Sequence, residues 1–144
     1  WIDVSRRLVG IGYKVVVVGK GGDCRSDLFG GVLNLVDYLN IFEVKELCKR
    51  ASLFIGMDSG MLHVAQTTDV PIIGLFTCAN PRFRIVPRVA RTVALIPMSD
   101  CRFCLHEKSP PVTFVDCKFG TNHCLGEIGS DDVIGEVNEL ARKK

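Results

Sequence analysis

Four short apolar runs constrain this chain more than any other feature: Lys14 to Val18, Leu53-Phe54-Ile55-Gly56, Pro71 to Phe76 and Thr92 to Ile96. Continuous, β-branched runs of this length read as strands buried on both faces, the pattern of a parallel sheet. Leu33 to Tyr38 adds a further short strand. The stretches between them carry helical signals. Residues 1–12 place Ile2, Leu8, Val9 and Ile11 as apolar positions, with Gly10 and Gly12 near a helix end. Phe42 to Arg50 sets Phe42, Val44, Leu47 and Cys48 beside Glu43, Lys45, Glu46 and Lys49, an amphipathic helix with a basic end. Met61 to Gln66 reads as a helix entered through an N-cap. Asp131 to Arg142 begins acidic, ends basic and keeps Val133, Val137 and Leu140 on one face. Thr77 to Pro87, broken by Pro81 and Pro87, is expected to be a loop. Strands alternating with helices predict an α/β fold with a Rossmann-like, doubly wound parallel sheet, in which ligands bind beyond the carboxyl ends of the strands.

The length of 144 residues suits a single domain spanning 1–144. Charge gives no partner: 18 Lys and Arg against 16 Asp and Glu leave +2, too little to point to nucleic acid or an anionic membrane. No apolar run approaches the roughly 20 residues of a membrane-spanning helix. The opening Trp1-Ile2-Asp3-Val4-Ser5-Arg6-Arg7 has neither an initiating Met nor the order of a secretory signal, and reads as an excision point from a longer protein.

The segment that carries chemistry is Gly56-Met57-Asp58-Ser59-Gly60-Met61-Leu62-His63-Val64-Ala65: a strand end, an acid, a hydroxyl and a glycine at the mouth of a helix. Free N–H groups of a first helical turn, with the helix dipole, suit a diphosphate; Ser59 adds a hydroxyl donor, and Gly60 lets a ligand approach the backbone. Asp58 would orient the turn or meet a ribose hydroxyl. An ordinary N-cap followed by a core histidine explains the same residues, and local physics leaves both open. The order does not fit the Gly-x-Ser-x-Gly elbow of hydrolases, and Gly19-Lys20-Gly21-Gly22 is not a Walker loop. Lys20, Arg82 and Arg84 are the cations nearest the expected cleft; Lys20 reads as a solvated loop residue, while for Arg82 and Arg84 that reading and phosphate recognition both stay open, arginine being the better phosphate partner.

Asp58 to Ala65, followed by Val70-Pro71-Ile72-Ile73-Gly74-Leu75-Phe76, resembles the donor-site signature of the ADP-heptose:lipopolysaccharide heptosyltransferases, glycosyltransferase family 9. Val15 to Gly19 with the loop to Asp23, the Phe42-Glu43 helix before Ala51 and the Asn80-Pro81 loop ending at Pro87 extend the likeness over nearly the whole chain. The resemblance implies a GT-B enzyme of two Rossmann-like domains, of which this chain is similar to the C-terminal, donor-binding half. It implies that Asp58, Ser59, Gly60 and Met61 contact the donor's nucleotide and phosphates. His63 would then shape the pocket behind them, the loop from Gly19 to Asp23 would reach the ribose, and Asn40 would offer backbone contacts to the base. Family members place a first strand and a basic loop just before the Trp1 helix, absent here, and the catalytic base in the other domain. The chain alone is therefore expected to be inactive. In the intact enzyme the resemblance implies inverting displacement with no cofactor required, helix N–H groups and basic side chains stabilising the departing diphosphate.

The seven cysteines divide. Cys24, Cys48 and Cys78 are expected to be buried, reduced fillers. Cys101-x2-Cys104, Cys117 and Cys124 lie together before the final helix, with His106 and His123 as alternates, and suit a structural zinc. Reduced thiols and disulfides remain open readings of that segment, which some members of the wider family resemble.

The leading expectation is thus the donor domain of a bacterial enzyme moving a heptose or related sugar from a nucleotide diphosphate sugar, ADP-heptose-like, to a lipopolysaccharide or other glycan acceptor. Its partners would be that donor, a glycan or lipid-linked acceptor and the N-terminal domain of the same parent. Its place would be the cytoplasm or the periphery of the inner membrane. The alternative is a zinc-stabilised α/β interaction module in which Asp58-Ser59-Gly60 is only a cap.

Overall fold

The computed structural model describes residues 1–21, 30–86, 91–107 and 123–142. Helix α1 (Ile2–Gly10) leads to strands β1 (Val16–Val17) and β2 (Leu33–Asn34). Helix α2 (Ile41–Arg50), strand β3 (Phe54–Met57), helix α3 (Gly60–Ala65) and strand β4 (Ile72–Leu75) follow. Strand β5 (Thr92–Leu95), the short α4 (Cys104–Glu107) and α5 (Ser130–Arg142) complete the order.

The helix ends follow from local chemistry. Gly12 adopts φ 95, and its N–H reaches Val9 O while Tyr13 N reaches Leu8 O. That pair of bonds is a Schellman stop, and glycine suits its left-handed residue. Asn40 caps α2 reciprocally with Glu43: Asn40 Oδ1 accepts from Phe42 N at 2.9 Å and Glu43 N at 3.1 Å, and Glu43 Oε2 accepts from Asn40 N at 2.7 Å.

All described pairing is parallel, in two pieces: β1 with β2, and β3-β4-β5 with Phe54 opposite Ile72 and Ile72 opposite Thr92. Laid on the doubly wound order 3-2-1-4-5-6, β2 and β1 take positions 3 and 2 and β3, β4 and β5 take 4, 5 and 6. The expected single sheet is thus seen, among the described residues, as two hydrogen-bonded pieces. The strand expected over Leu33 to Tyr38 stops at Asn34, because Leu35 to Tyr38 turn, with Asp37 at φ 65.

Side chains alternate across β4. Ile73 and Leu75 pack with Val4 and Leu8 of α1 and with Val133, Ile134, Val137 and Leu140 of α5. Ile72 and Phe76 face the other layer, with Val44 and Cys48 of α2 and Leu62, Val64 and Ala65 of α3. The result is three layers, helix on sheet on helix. Phe76 is wholly buried, so Phe76→Ala is expected to destabilise the fold by about 3–5 kcal/mol in chemical denaturation. Gly74 has room only for hydrogen: a Cβ there would lie 2.6 Å from the Phe76 ring and 3.3 Å from Leu62 Cδ1. Of the expected filler cysteines, Cys48 is buried, Cys78 is only half-buried and Cys24 lies outside the described residues. Burial pushes the Cys48 thiol above its ordinary value of 9.0. The unfolded chain therefore loses that proton first as pH rises. Stability tied to it is complete below the ordinary thiol range and declines above it, which denaturation midpoints between neutral and strongly alkaline pH would register.

Candidate functional site

Asp58 is the first residue beyond β3, and its N–H donates to Leu75 O at 3.2 Å, fixing its backbone at the carboxyl edge of the sheet. Ser59 follows as the extended N-cap of α3, yet its hydroxyl makes no capping hydrogen bond. Ser59 and Gly60 are exposed, and among the described residues no acceptor meets the Gly60 or Met61 N–H. A Cβ built on Gly60 would meet nothing within 4 Å. The helix mouth is therefore open, with donors facing outward.

The Asp58 carboxylate is 17% exposed and has two cationic or donor neighbours. Arg84 Nε lies 3.3 Å from Oδ2, and His63 Nε2 lies 3.8 Å from Oδ1. The Arg84 contact is an ion pair but not an aligned hydrogen bond, so among the described residues its solvent-shielded Nε–H has no acceptor. An orphaned buried donor is uncommon and marks a place where an incoming oxygen would be welcome. Arg84 arrives there through the loop after β4. Asn80 accepts from Arg82 N at 2.9 Å and caps a short turn over Pro81–Phe83, and Ile85 N donates to Pro81 O at 2.8 Å. Arg82, on the same turn, is exposed. Sequence treated the two arginines alike; folding brings Arg84 alone onto Asp58.

Sequence reading also passed over Gln66, which is 3% exposed at the end of α3. Its Nε2 donates to Arg84 O at 3.0 Å and lies 3.4 Å from His63 Nδ1, and its Oε1 accepts from Val86 N at 2.7 Å. A lone glutamine at a helix end gives no sequence signal for such work.

Gly19 and Asn40 follow the carboxyl ends of β1 and β2, and the preceding Val18 and Leu39 pack on the same cluster as Met61 and Ile85. Asp37, a second residue that sequence reading missed, pins the first of these loops. Its N–H donates to Gly19 O at 3.0 Å and both its carboxylate oxygens accept from Gly21 N at 2.8 Å. Lys20 is exposed, and Asp23 lies outside the described residues. Asn40 spends its side-chain oxygen and its N–H on the α2 cap, and its carbonyl accepts from Val44 N at 3.0 Å with one lone pair left for a ligand.

The cysteine segment returns to this edge. Phe103 N donates to Thr77 O at 2.8 Å and Leu105 N to Cys78 O at 2.9 Å, laying residues 103–105 along the end of β4. Cys78 comes within electrostatic range of Cys104 and Asp58, and Cys124 within that of Cys101 and Cys104. Burial is the main reason the Cys78 and Cys124 thiols are pushed above their ordinary values. Sequence spacing had left Cys78 out of this group. Cys117 lies outside the described residues, and Cys48, Cys78, Cys101, Cys104 and Cys124 are free thiols. Among the described residues no three His, Cys, Asp or Glu side chains are arranged to hold a metal, and no helix is long and apolar enough to cross a membrane.

A three-layer α/β domain of parallel strands, with a polar cluster at their carboxyl ends, defines the Rossmann-like class of ligand-binding domain. The family model described as glycosyltransferase family 9 (heptosyltransferase) matches residues 1–111. The chain belongs to that family. No curated protein matches it. Solved structures similar to it include the E. coli ADP-heptose lps heptosyltransferase II, at 18% identity and TM-score 0.71, covering 99% of this chain and 40% of that one. A family 9 glycosyl transferase from Veillonella parvula gives 22% identity and TM-score 0.77, with coverage of 99% and 40%. The iron-containing dodecameric glycosyltransferase TibC from enterotoxigenic E. coli gives 22%, 0.77 and the same coverage, and it has also been solved in complex with ADP-D-beta-D-heptose. This chain thus spans 40% of the length of these relatives, and at such identities the likeness establishes the GT-B type of fold.

Proposed function

We propose that residues 1–144 form a single domain that binds the nucleotide diphosphate sugar in a heptosyltransferase whose acceptor domain lies elsewhere in the parent chain. One observation carries this reading: in a member of the family, Asp58, Ser59, Gly60, Met61 and His63 stand at an open helix mouth beyond β3, with Arg84 folded onto Asp58. The backbone N–H groups of Gly60 and Met61 and the Ser59 hydroxyl meet the diphosphate, and the idle Arg84 Nε–H supplies a charged donor beside them. Arg82 is the outer cation of the same loop. The loop from Gly19 to Asp23 meets the ribose, and the Asn40 carbonyl faces the base, adenine by likeness to the ADP-heptose relatives. A strand from the rest of the parent occupies position 1 of the sheet, between β1 and β3.

In the intact transferase the acceptor hydroxyl, giving its proton to a carboxylate of the other domain that acts as general base, displaces the diphosphate at the anomeric carbon with inversion. This domain's part is to hold the leaving group and stabilise its growing charge. The acceptor is a lipopolysaccharide or another glycan, reached in the cytoplasm or at the inner membrane. With ADP-heptose and a lipopolysaccharide acceptor, the parent is expected to release ADP in step with glycosylated product, and residues 1–144 alone to release none. Release by the isolated chain at the parent's rate would overturn the two-domain reading.

The cysteine segment is proposed to be structural. A metal there, zinc by thiolate chemistry or iron by likeness to the iron-containing TibC, would draw on Cys101, Cys104, Cys117 and Cys124. Among the described residues Cys101, Cys104 and Cys124 are not gathered into a set of three. Elemental analysis separates the readings: about one metal per chain, lost in Cys101→Ser, would establish a metal site. A metal-free wild type would leave these residues as reduced thiols.

A further inference from the structure

The best-buried polar side chain near the open helix mouth belongs to a residue with no place in the donor-binding signature. Gln66 is 3% exposed, and both ends of its amide are in use. Its oxygen accepts from the N–H of Val86. One N–H is directed at the carbonyl of Arg84 and the other at His63 Nδ1. Only an amide can do all of this at once, because a donor pair and an acceptor are required on one short planar group.

Two consequences follow. The backbone of 84–86 is fastened to α3 at both flanks of Ile85, which sets where the Arg84 guanidinium meets Asp58. Because His63 Nδ1 faces an amide donor, Nδ1 must accept, so the neutral ring carries its proton on Nε2. That nitrogen is the one 3.8 Å from Asp58 Oδ1, on the side of the open helix mouth.

We infer that Gln66 is a positioning residue of the anion site: it holds the Arg84 loop on α3 and fixes His63 as an Nε2–H donor toward an oxyanion. The oxyanion is the diphosphate of the proposed donor, and that part of the inference rests on the reading above. Gln66 itself need not touch the ligand.

Gln66→Glu keeps the volume and the acceptor for Val86 but removes both donors, placing a carboxylate beside His63 Nδ1 and the Arg84 carbonyl. Gln66→Met keeps the volume and removes every polar partner. The test combines ¹⁵N NMR of the His63 ring at a pH where it is neutral with ADP titration, in wild type and both variants, with thermal melts to confirm folding. Wild type is expected to show the Nε2–H tautomer and Gln66→Glu the Nδ1–H tautomer, since the new carboxylate accepts from Nδ1. Both variants are expected to bind ADP about tenfold more weakly. A merely structural glutamine would lower the melting temperature without inverting the tautomer. An unchanged tautomer in folded Gln66→Glu overturns the inference, as does undiminished ADP binding in both variants. If wild type itself binds no nucleotide, the donor-site reading fails, while the tautomer still decides whether Gln66 sets the ring.

Discussion

Gly60→Val is expected to weaken nucleoside diphosphate binding by about a hundredfold, equivalent to about 2.7 kcal/mol, while the fold survives. The expectation rests on where the side chain would go. A Cβ on Gly60 meets nothing within 4 Å, so the valine enters the open space in front of the α3 mouth and not the core. The first-turn N–H groups of Gly60 and Met61 would then be covered by two methyl groups, and an oxyanion could not come within hydrogen-bond distance. A β-branched residue at the start of a short helix changes stability by less than about 1 kcal/mol, so a thermal melt should move little. Loss of binding together with loss of fold would make the variant uninformative about the mouth; Gly60→Ala, with a smaller obstruction, should then fall between wild type and valine.

Arg84→Met is the second large effect, expected to weaken the same binding by about ten- to a hundredfold, the value of a charge-assisted hydrogen bond of about 1.5–3 kcal/mol. Methionine retains much of the aliphatic stem, so packing with the loop is largely kept and the charge is what goes. The buried Nε–H has no aligned acceptor among the described residues, so the variant forfeits no hydrogen bond seen there from that atom. It does remove the partner of Asp58, 3.3 Å away, and leaves that carboxylate to repel an incoming diphosphate. Wild-type affinity should also fall more steeply with added salt than the variant's, because screening acts on the charge that the variant lacks. Arg82→Met, on an exposed side chain of the same turn, should cost much less. Equal losses at the two positions would contradict the special placement of Arg84.

The sequence was most legible where one local pattern decided the outcome. Pro71 to Phe76 had no alternative to a buried strand, and β4 lies inside it as Ile72–Leu75 with two hydrophobic layers around it. Asp131 to Arg142 was legible for the same reason, its charges and apolar stripe agreeing, and α5 differs only by starting at Ser130. Leu33 to Tyr38 was less legible, because its apolar residues suit a strand while Asp37 must turn to hold Gly19 and Gly21. The helix mouth at Ser59 could be read from spacing. Its neighbours could not, since Arg84 lies 26 positions from Asp58 in sequence and reaches it only through a capped turn and the Gln66 amide. Cys78 was assigned to the core on the same ground, its nearness to Cys104 being a matter of how residues 103–105 lie along the end of β4.

The central claim is that this domain holds the nucleotide of a sugar donor at the mouth of α3, and calorimetric titration with ADP, UDP and GDP tests it most directly. The account predicts saturable binding by one nucleotide, ADP before the others, weakened about a hundredfold in Gly60→Val. Binding of none of the three by the parent protein, with stoichiometric metal on the cysteines, would contradict it and favour a metal-stabilised interaction module on the same scaffold.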